Sequence, residues 1–320
     1  MRNLKKLFSL FFLLSFFCLL NLAAKEETNP KTFLVFGGKT GWIGQKLIEL
    51  LKKDHHIAYA AESRLEDRAA IEEEIRFIQP DYIFNAAGMT GRPNIDWCES
   101  NKQETVRVNV LGALNLADVA YLYHIPVTNF GTGCIYYYDE AHPLGSGIGF
   151  TEEDEPNFAK SFYSATKIIL EKTLLNYPNV LNLRLRMPIS ADLHPRSFIT
   201  KIVNYEKVVN VPNSMSILDD LLPVAIEMTL RQLRGVYNFT NPGTLSHNEV
   251  LALYKEYIDP DYSWENFSLE EQDRILKAAR SNTELDVSKL LKEFPDIPPI
   301  KDSIHALFQR MRQNLNKGCQ

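Results

Sequence analysis

The chain has 320 residues, of which 45% are hydrophobic, and this suffices for one large core or two interlocked cores. Its 35 basic and 40 acidic residues are well mixed and give a formal net charge of −5, so the sequence predicts no nucleic-acid partner and no disordered acidic tail. The 4 cysteines are too scattered for a disulfide scaffold. Neither they nor the 7 histidines show metal-ligand spacing, so no metal is implied.

The N-terminus combines a basic start with an apolar run. Arg2, Lys5 and Lys6 precede an uncharged stretch at 7–24. This pattern is typical of a secretory signal and of a membrane anchor, and a mis-called translation start is a third alternative. Residues 1–30 are therefore set apart as a signal-like or anchor segment, and membrane contact through 7–24 is left open.

A strand, a glycine turn and a helix are predicted next. The apolar run Thr32–Phe36 indicates a buried strand, and apolar residues at helical spacing over 43–53 indicate a helix. Between them lies a Gly-x-x-Gly-x-x-Gly turn. In this context the glycines let the backbone approach a pyrophosphate, which binds at the helix N-terminus. The turn therefore predicts a dinucleotide site, with the cofactor-binding residues Gly38, Lys39, Thr40, Gly41, Trp42, Ile43 and Gly44.

Predicted strands and helices then alternate up to residue 185. The strands are placed at 57–61, 82–85, 127–130 and 180–185, and the helices at 66–78, 102–123 and 161–175. This alternation is typical of an α/β fold with a doubly wound parallel Rossmann sheet. After residue 186, proline-punctuated loops alternate with short helices and one more strand at 236–240. Residues 31–185 are therefore assigned to a dinucleotide-binding Rossmann domain, and residues 186–315 to a smaller, interleaved C-terminal substrate-binding lobe.

The end of the second predicted strand bears on the choice of cofactor. An acid there binds the ribose hydroxyl of NAD, whereas an arginine accommodates the 2′-phosphate of NADP. Glu62 and Arg64 both lie near this point, and we favour NADPH, with NADH as the alternative. Asp67 is assigned to the adenine side of the cofactor or, alternatively, to capping the next helix. Small residues after the strand at 82–85 suit a close passage of the cofactor, and this set is Asn85, Ala86, Ala87 and Gly88.

Tyr163 and Lys167 form a Tyr-x-x-x-Lys pair on a predicted helix. Residues four apart lie on one helical face, where the ammonium can lower the pKa of the phenol and make it a usable proton donor or acceptor. Both residues are also expected to contact the cofactor. Thr132, just after the strand at 127–130, is expected to face Tyr163 across a substrate carbonyl. Together with the glycine turn, this predicts a nicotinamide-dependent oxidoreductase that acts on a carbonyl or an alcohol.

Several long sequence strings are more specific than these motifs. They include Thr90-Gly-Arg-Pro-Asn94, Asp96-Trp-Cys-Glu-Ser100, Arg186-Met-Pro-Ile-Ser190 and Asn238-Phe-Thr-Asn-Pro-Gly243. With them, the chain from about residue 33 to 308 closely resembles the C-terminal domain of plant rhamnose synthases and the stand-alone UDP-4-keto-6-deoxyglucose 3,5-epimerase/4-reductases. More distantly it resembles bacterial dTDP-4-dehydrorhamnose reductases, which have a Thr-Asp-Tyr string in place of Thr132-Gly-Cys134.

The resemblance implies a role for Cys134, whose alternative is a small buried side chain. GDP-mannose 3,5-epimerases and GDP-fucose synthases have a cysteine at this position, paired with a lysine in the first family and with a histidine in the second. Lys201 falls where the lysine is expected, and its alternative is a helix-surface lysine. The pair would act as opposed base and acid at C5 and C3 of the sugar. Residues assigned to the substrate, with ordinary structural or surface positions as the alternative, are Arg92, Asn213 and Arg280.

The function that the resemblance implies is a bifunctional 3,5-epimerase and NADPH-dependent 4-reductase, which converts UDP-4-keto-6-deoxy-D-glucose to UDP-L-rhamnose. A GDP-L-fucose synthase-type enzyme and a non-catalytic nucleotide-binding protein of the same fold are the alternatives. The chemistry favours a cytoplasmic location, whereas the N-terminal segment leaves membrane attachment or export as alternatives. A homodimer is also left open.

Overall fold

Residues 29–318 are described by a computed structural model of the chain. The apolar stretch predicted at 7–24, with its signal or anchor interpretation, lies outside these residues. Among the residues that the structure describes, no helix has the length and apolar character needed to cross a membrane.

The central sheet has six parallel strands. They are β1 (Thr32–Phe36), β2 (Ile57–Ala60), β3 (Tyr82–Asn85), β4 (Val127–Thr132), β5 (Val180–Leu185) and β7 (Gly235–Asn238). Their order is β2-β1-β3-β4-β5-β7. The chain thus adds strands to one side of β1 first and to the other side from β3 onward. The predicted doubly wound parallel sheet is therefore confirmed, and its last strand comes from the segment after residue 186.

Helices and one short strand pair complete the described fold. The helices are α1 (Trp42–Lys53), α2 (Arg68–Ile78), α3 (Asp96–Ser100), α4 (Lys102–Val106), α5 (Ala113–Leu122), α6 (Phe162–Leu174), α7 (Phe198–Ile202), α8 (Leu218–Leu230), α9 (His247–Tyr257), α10 (Leu269–Ile275), α11 (Ser288–Glu293) and α12 (Ile300–Gly318). Strands β6 (Lys207–Val208) and β8 (Glu265–Asn266) pair with each other in parallel.

The single helix predicted at 102–123 is wrong in one respect, because a π-helical segment, Arg107–Gly112, separates α4 from α5. Asn109 in this segment accepts a 2.7 Å hydrogen bond from the Met89 backbone N–H and donates a 2.8 Å bond to the Met89 carbonyl. π-Helical turns often occur at functional sites. Here the turn ties the helix to the loop that follows β3.

Alternate residues of the strands enter two separate hydrophobic clusters, one on each face of the sheet. Phe33 and Val35 pack with side chains from α1, α8 and α11, whereas Leu34 and Phe36 pack with side chains from α2, α5 and α6. Successive side chains of a strand point to opposite faces, so helices cover both sides of the sheet. A third cluster lies among α7, α9 and α12 in the C-terminal part of the chain.

Candidate active site

A cavity of about 980 Å³ lies at the carboxyl ends of the central strands, which is where ligands bind in open α/β sheets. One side is formed by the glycine turn and the ends of the central strands. The other side comes from the segment around α7, from β6 and from residues near α10. All the predicted catalytic residues line this cavity, namely Thr132, Cys134, Tyr163, Lys167 and Lys201.

Two hydrogen bonds to side chains fix the first turn of α6, which carries Tyr163. The Ser161 hydroxyl accepts a 3.1 Å bond from the Ser164 backbone N–H, and Glu99 Oε1 accepts a 2.7 Å bond from the Phe162 N–H. The Ser164 hydroxyl in turn donates a 2.5 Å bond to the Cys134 carbonyl. Capping by Ser161 and Glu99 satisfies N–H groups that a helix start leaves unpaired. The start of α6 and the Cys134 backbone are thus held together.

Tyr163 and Lys167 are both buried, and burial governs their ionisation. The Lys167 Nζ lies 6.0 Å from the centre of the Tyr163 ring, and burial lowers the pKa of Lys167 to about 8. The expectation that Lys167 lowers the pKa of Tyr163 is wrong for this structure. Burial raises the pKa of Tyr163, the charge of Cys134 adds to this effect, and the Thr132 hydrogen bond opposes it. Tyr163 is therefore kept in its protonated form, which is the form that can donate.

Cys134 lies just beyond β4, close to a cation that the sequence motifs did not reveal. Its backbone N–H donates a 3.1 Å hydrogen bond to the Thr132 hydroxyl, and its Sγ accepts a 2.7 Å hydrogen bond from Nη1 of Arg186. Arg186 also lines the cavity. It follows directly after β5, at the edge of the sheet where ligands bind, and this position was the available sequence signal.

Lys201 lies on α7 and lines the cavity from the side opposite to the sheet. Burial lowers the pKa of Lys201, the positive charge of Arg196 lowers it further, and the charge of Cys134 acts in the opposite direction. The structure therefore gives Lys201 a half-buried position beside Arg196 and facing the cavity, which an ordinary helix-surface lysine does not have.

The predicted cofactor residues divide into two groups. Those that line the cavity are Thr40, Gly41, Trp42, Ile43, Arg64, Ala86, Ala87, Gly88, Tyr163 and Lys167. Those that do not are Gly38, Lys39, Gly44, Asp67 and Asn85. Gly37 directly precedes the Gly-x-x-Gly-x-x-Gly motif and was not predicted as a cofactor residue. It lines the cavity with a φ of +81°, and a Cβ there would lie 2.9 Å from the Ala86 carbonyl carbon. Only glycine fits this close approach of two backbones.

The predicted residues outside the cavity have structural contacts instead. Lys39 forms an ion pair with Glu62. Asp67 caps α2 by accepting a 3.0 Å hydrogen bond from the Ala70 N–H, which was the stated alternative for this residue. Asn85 accepts a 3.2 Å bond from the Ala87 N–H and so shapes the backbone that borders the cavity.

The N-terminus of α1 suits an anionic group. Its N-cap is Gly41, no side chain caps the helix, and its first turn contains no acidic residue. The backbone N–H groups at this end therefore remain available to a pyrophosphate. Together with the close approach at Gly37, this geometry fits a dinucleotide.

Of the residues assigned to the substrate, only Arg280 lines the cavity. Its Nη1 donates a 2.9 Å hydrogen bond to Asp96 Oδ1. Arg92 is exposed, and Asn213 is 0% exposed, with its side-chain oxygen accepting from Arg186. His247 also lines the cavity and had no signal in the sequence. Burial, helped by the positive charge of Arg186, lowers the pKa of His247 to about 4.

Metal ligation finds no support in residues 29–318, where no group of three or more His, Cys, Asp or Glu side chains could hold an ion. The titratable side chains that line this cavity include those of Cys134, Tyr163, Lys167, Lys201, Arg186 and His247.

Comparison with known proteins identifies several relatives. The sequence model of the NAD dependent epimerase/dehydratase family matches residues 34–218. A bifunctional dTDP-4-dehydrorhamnose 3,5-epimerase/dTDP-4-dehydrorhamnose reductase from Arabidopsis thaliana is 56% identical over 280 residues, which cover 87% of this chain and 93% of the relative. A crystal structure of a UDP-rhamnose synthase from Acanthamoeba polyphaga mimivirus is 41% identical and has a TM-score of 0.84. The match covers 88% of this chain and 100% of the mimivirus chain.

A longer Arabidopsis thaliana relative is a trifunctional UDP-glucose 4,6-dehydratase/UDP-4-keto-6-deoxy-D-glucose 3,5-epimerase/UDP-4-keto-L-rhamnose-reductase. It is 59% identical over 273 residues, which cover 85% of this chain but only 41% of the relative. The chain thus spans less than half the length of this relative. The resemblance inferred from the sequence strings is confirmed by these matches.

Proposed function

The chain belongs to the NAD dependent epimerase/dehydratase family, and from this membership we propose that it is a bifunctional 3,5-epimerase and 4-reductase that converts UDP-4-keto-6-deoxy-D-glucose to UDP-L-rhamnose. The observation that carries the proposal is the meeting of two acid/base pairs in one cavity. Cys134 and Lys201 form the first pair, and Tyr163 and Lys167 form the second. A simple reductase needs only the second pair.

A nicotinamide cofactor follows from the family, and we propose NADPH as the preferred form. Arg64 lines the cavity at the end of β2, where the 2′-phosphate of NADP would lie. Arg64 and Glu62 are both engaged in ion pairs, with Glu66 and Lys39 respectively, but Glu62, the acid that could instead bind a ribose hydroxyl, does not line the cavity. When bound, the nicotinamide supplies the hydride that reduces C4 of the sugar.

In the epimerase half-reaction, Cys134 and Lys201 act on the carbons next to the 4-keto group. The carbonyl acidifies the C–H bonds at C3 and C5, so a base on one face can remove a proton and an acid on the other face can return one. The negative charge that develops on O4 is stabilised by the hydroxyls of Thr132 and Tyr163, which lie in the same cavity wall. The lowered pKa of Lys201 makes its ammonium a stronger proton donor than that of an ordinary lysine.

In the reductase half-reaction, Tyr163 donates its proton to O4. Its raised pKa keeps the phenol protonated until negative charge develops on that oxygen. Lys167 lies behind the ring, and its own pKa of about 8 allows it to exchange a proton near neutral pH. Arg280 lines the far side of the cavity, where its guanidinium is suited to a diphosphate oxygen.

The function is tested with the full-length chain, NADPH and UDP-4-keto-6-deoxyglucose in heavy water. We expect NADPH oxidation together with deuterium at C3 and C5 of a UDP-rhamnose product. The same assay with the dTDP sugar compares the nucleotides named for the mimivirus and the bifunctional relatives. Oxidation without deuterium would leave only the reductase, and no turnover with any nucleotide sugar would support a non-catalytic protein.

Matched variants assign the two half-reactions. Lys201→Met is expected to abolish formation of the epimerised product, because no acid remains on the opposite face, but to retain reduction of a sugar that is already epimerised. Lys172→Met serves as the control, because Lys172 is an exposed lysine paired with Glu155. Turnover of GDP sugars in preference to UDP sugars would instead support the fucose synthase-type alternative, which the named relatives do not favour.

A further inference from the structure

Cys134 and Arg186 emerge side by side from the sheet. Strands β4 and β5 are paired in parallel, with Thr132 opposite Leu185, so the residues just beyond each strand lie next to each other. Across this short gap, Nη1 of Arg186 donates a 2.7 Å hydrogen bond to the Cys134 sulfur. The Arg186 side chain is buried, because the residue is only 2% exposed.

The Arg186 guanidinium is held rigidly from its other end. Its Nη2 donates a 2.5 Å hydrogen bond to Asn213 Oδ1 and another to the Ser281 carbonyl. Asn213 is fixed in turn, because its Oδ1 also accepts from the Thr283 N–H at 3.0 Å and its Nδ2 donates to Asn282 Oδ1 at 3.0 Å. The buried amide of Asn213 therefore acts on Arg186 and not on a ligand in the cavity.

This arrangement requires the sulfur to serve as an acceptor. An arginine in a protein does not lose its proton, so Nη1 of Arg186 can only donate and the Cys134 sulfur can only accept in this contact. A neutral thiol is a weak hydrogen-bond acceptor, whereas a thiolate is a strong one. A hydrogen bond in which the donor or the acceptor is charged is about twice as strong as one between neutral groups. The contact therefore stabilises the sulfur as an anion, which is the reactive form of cysteine.

Other charged or titratable groups face the same point from the surrounding helices. Lys201 from α7 adds positive charge, and the charge of Cys134 acts on it. Tyr163 from α6 has its pKa raised by burial and by Cys134, so an anionic sulfur helps to keep the phenol protonated. His247 at the start of α9 stays neutral near neutral pH, because burial and Arg186 lower its pKa.

We propose that Arg186 is a positioning residue that holds the Cys134 sulfur as an oriented thiolate, and that Asn213 holds Arg186 in place. This rests on the proposed function of Cys134 as the base of the epimerase. In that step the S⁻ takes a proton from carbon and becomes S–H, and the C–H electron pair passes into the enolate with its charge on O4. Lys201 then gives a proton from Nζ to the opposite face of the carbon, and exchange with water restores both groups.

The test is alkylation of the full-length, ligand-free protein with iodoacetamide, followed peptide by peptide with mass spectrometry. The rate of Cys134 alkylation at about pH 7 is expected to fall by about tenfold or more in Arg186→Lys and Arg186→Gln, and the rise of the rate with pH should lie at higher pH in both variants than in the wild type. Equal rates and equal pH profiles in the wild type and in both folded variants would overturn the proposal.

Two controls keep the result interpretable. Cys98 is 0% exposed, so rapid labelling of Cys98 in any variant reports unfolding in the same sample. Arg231→Gln removes an exposed arginine that pairs with Glu293 away from the cavity, and it should leave the Cys134 profile unchanged. If both Arg186 variants unfold, Asn213→Ser should give a smaller shift in the same direction, and an unchanged profile in that variant would contradict the assignment of Asn213.

The labelling experiment uses no sugar, so it separates this proposal from the proposed function. A stabilised thiolate that depends on Arg186, in a protein with no turnover of any nucleotide sugar, would uphold the role of Arg186 and reject the epimerase/reductase. Turnover with deuterium incorporation that persists unchanged in a folded Arg186→Gln variant would support the epimerase/reductase and reject the role of Arg186.

Discussion

Trp42 donates its indole N–H to Asp192 Oδ2 over 2.8 Å, which joins the glycine turn to the segment that leads into α7. The Trp42 ring also stacks on His194, with ring centres 5.1 Å apart and planes 3° from parallel. Burial of Asp192 opposes its charge, yet hydrogen bonds from Lys46 and Trp42 lower the pKa of this carboxyl. The dinucleotide side of the cavity is thereby fastened to the segment that carries Lys201.

Trp42→Phe is therefore expected to weaken cofactor binding. The ring can still stack on His194, but the bond to Asp192 is lost. We expect the Kd for NADPH to rise roughly threefold to tenfold, the effect of losing about 1 kcal/mol of hydrogen bonding to a partly exposed charge. The measurement is a fluorescence titration with NADPH. Trp264→Phe is the matched control, since the Trp264 indole donates to Asn248 Oδ1 away from the cavity, and an equal loss in both variants would contradict the prediction.

Tyr163→Phe should separate the two half-reactions. The substitution removes the proton donor for O4 but leaves Cys134 and Lys201 in place, so reduction should slow by about 10²-fold to 10⁴-fold. Deuterium exchange into UDP-4-keto-6-deoxyglucose should slow less than reduction does, because the Thr132 hydroxyl still stabilises the charge on O4. Product analysis by mass spectrometry measures both. Tyr177→Phe, which loses only a bond to Asp118 on the far side of α6, is the control, and equal losses of exchange and reduction in Tyr163→Phe would argue against separate acid/base pairs.

The sheet could be predicted because its strands are short apolar runs bounded by turn residues. The bounds of β1, β3 and β5 agree with the prediction, and β4 runs two residues further, to Thr132. The Tyr163 and Lys167 pair could be found because four-residue spacing on a helix is a local property. The π-helical turn at Arg107–Gly112 could not, because a period change over one turn leaves no distinct pattern of apolar residues.

Contacts between residues far apart in the sequence were harder to predict than the secondary structure. Arg186 and Cys134 are 52 residues apart, and their contact depends on the pairing of β4 with β5, which the sequence does not reveal. Asn213 was assigned to the substrate from the family resemblance, but its amide is fully buried against Arg186. Gly37 was missed because the spacing from Gly38 satisfied the motif, whereas the close approach to Ala86 falls on the preceding glycine.

A buried ion pair next to the active site should matter for stability. Glu171, one turn after Lys167 on α6, accepts a 2.7 Å bond from Arg184 Nη2, with the two side chains 8% and 3% exposed. Glu171→Ala would leave a buried guanidinium unpaired, and we expect a loss of about 3–5 kcal/mol in the free energy of unfolding. Urea denaturation measures it. Glu155→Ala breaks an exposed pair with Lys172 and should change stability by less than about 1 kcal/mol, so equal effects in the two variants would contradict this view of the pair.

His247 should make the folded state sensitive to mild acid. Burial and the charge of Arg186 lower its pKa to about 4, while a hydrogen bond to the Val211 backbone acts the other way. The unfolded chain, with a histidine pKa of about 6.5, binds the proton more readily between these values, so the unfolding free energy falls as pH drops through this window. Relative to about pH 7.5, His247 should account for a loss of roughly 2 kcal/mol at about pH 5.

The measurement for His247 is urea denaturation of the ligand-free protein at the two pH values. His247→Gln should remove this part of the acid sensitivity, because the amide does not titrate. His305→Gln should retain it, since His305 is an exposed histidine that contacts Tyr257 away from the cavity. Wild type and His247→Gln could instead lose the same unfolding free energy on acidification. That result would mean that the His247 imidazole is protonated as readily in the folded chain as in the unfolded chain, which would contradict the lowering of its pKa by burial beside Arg186.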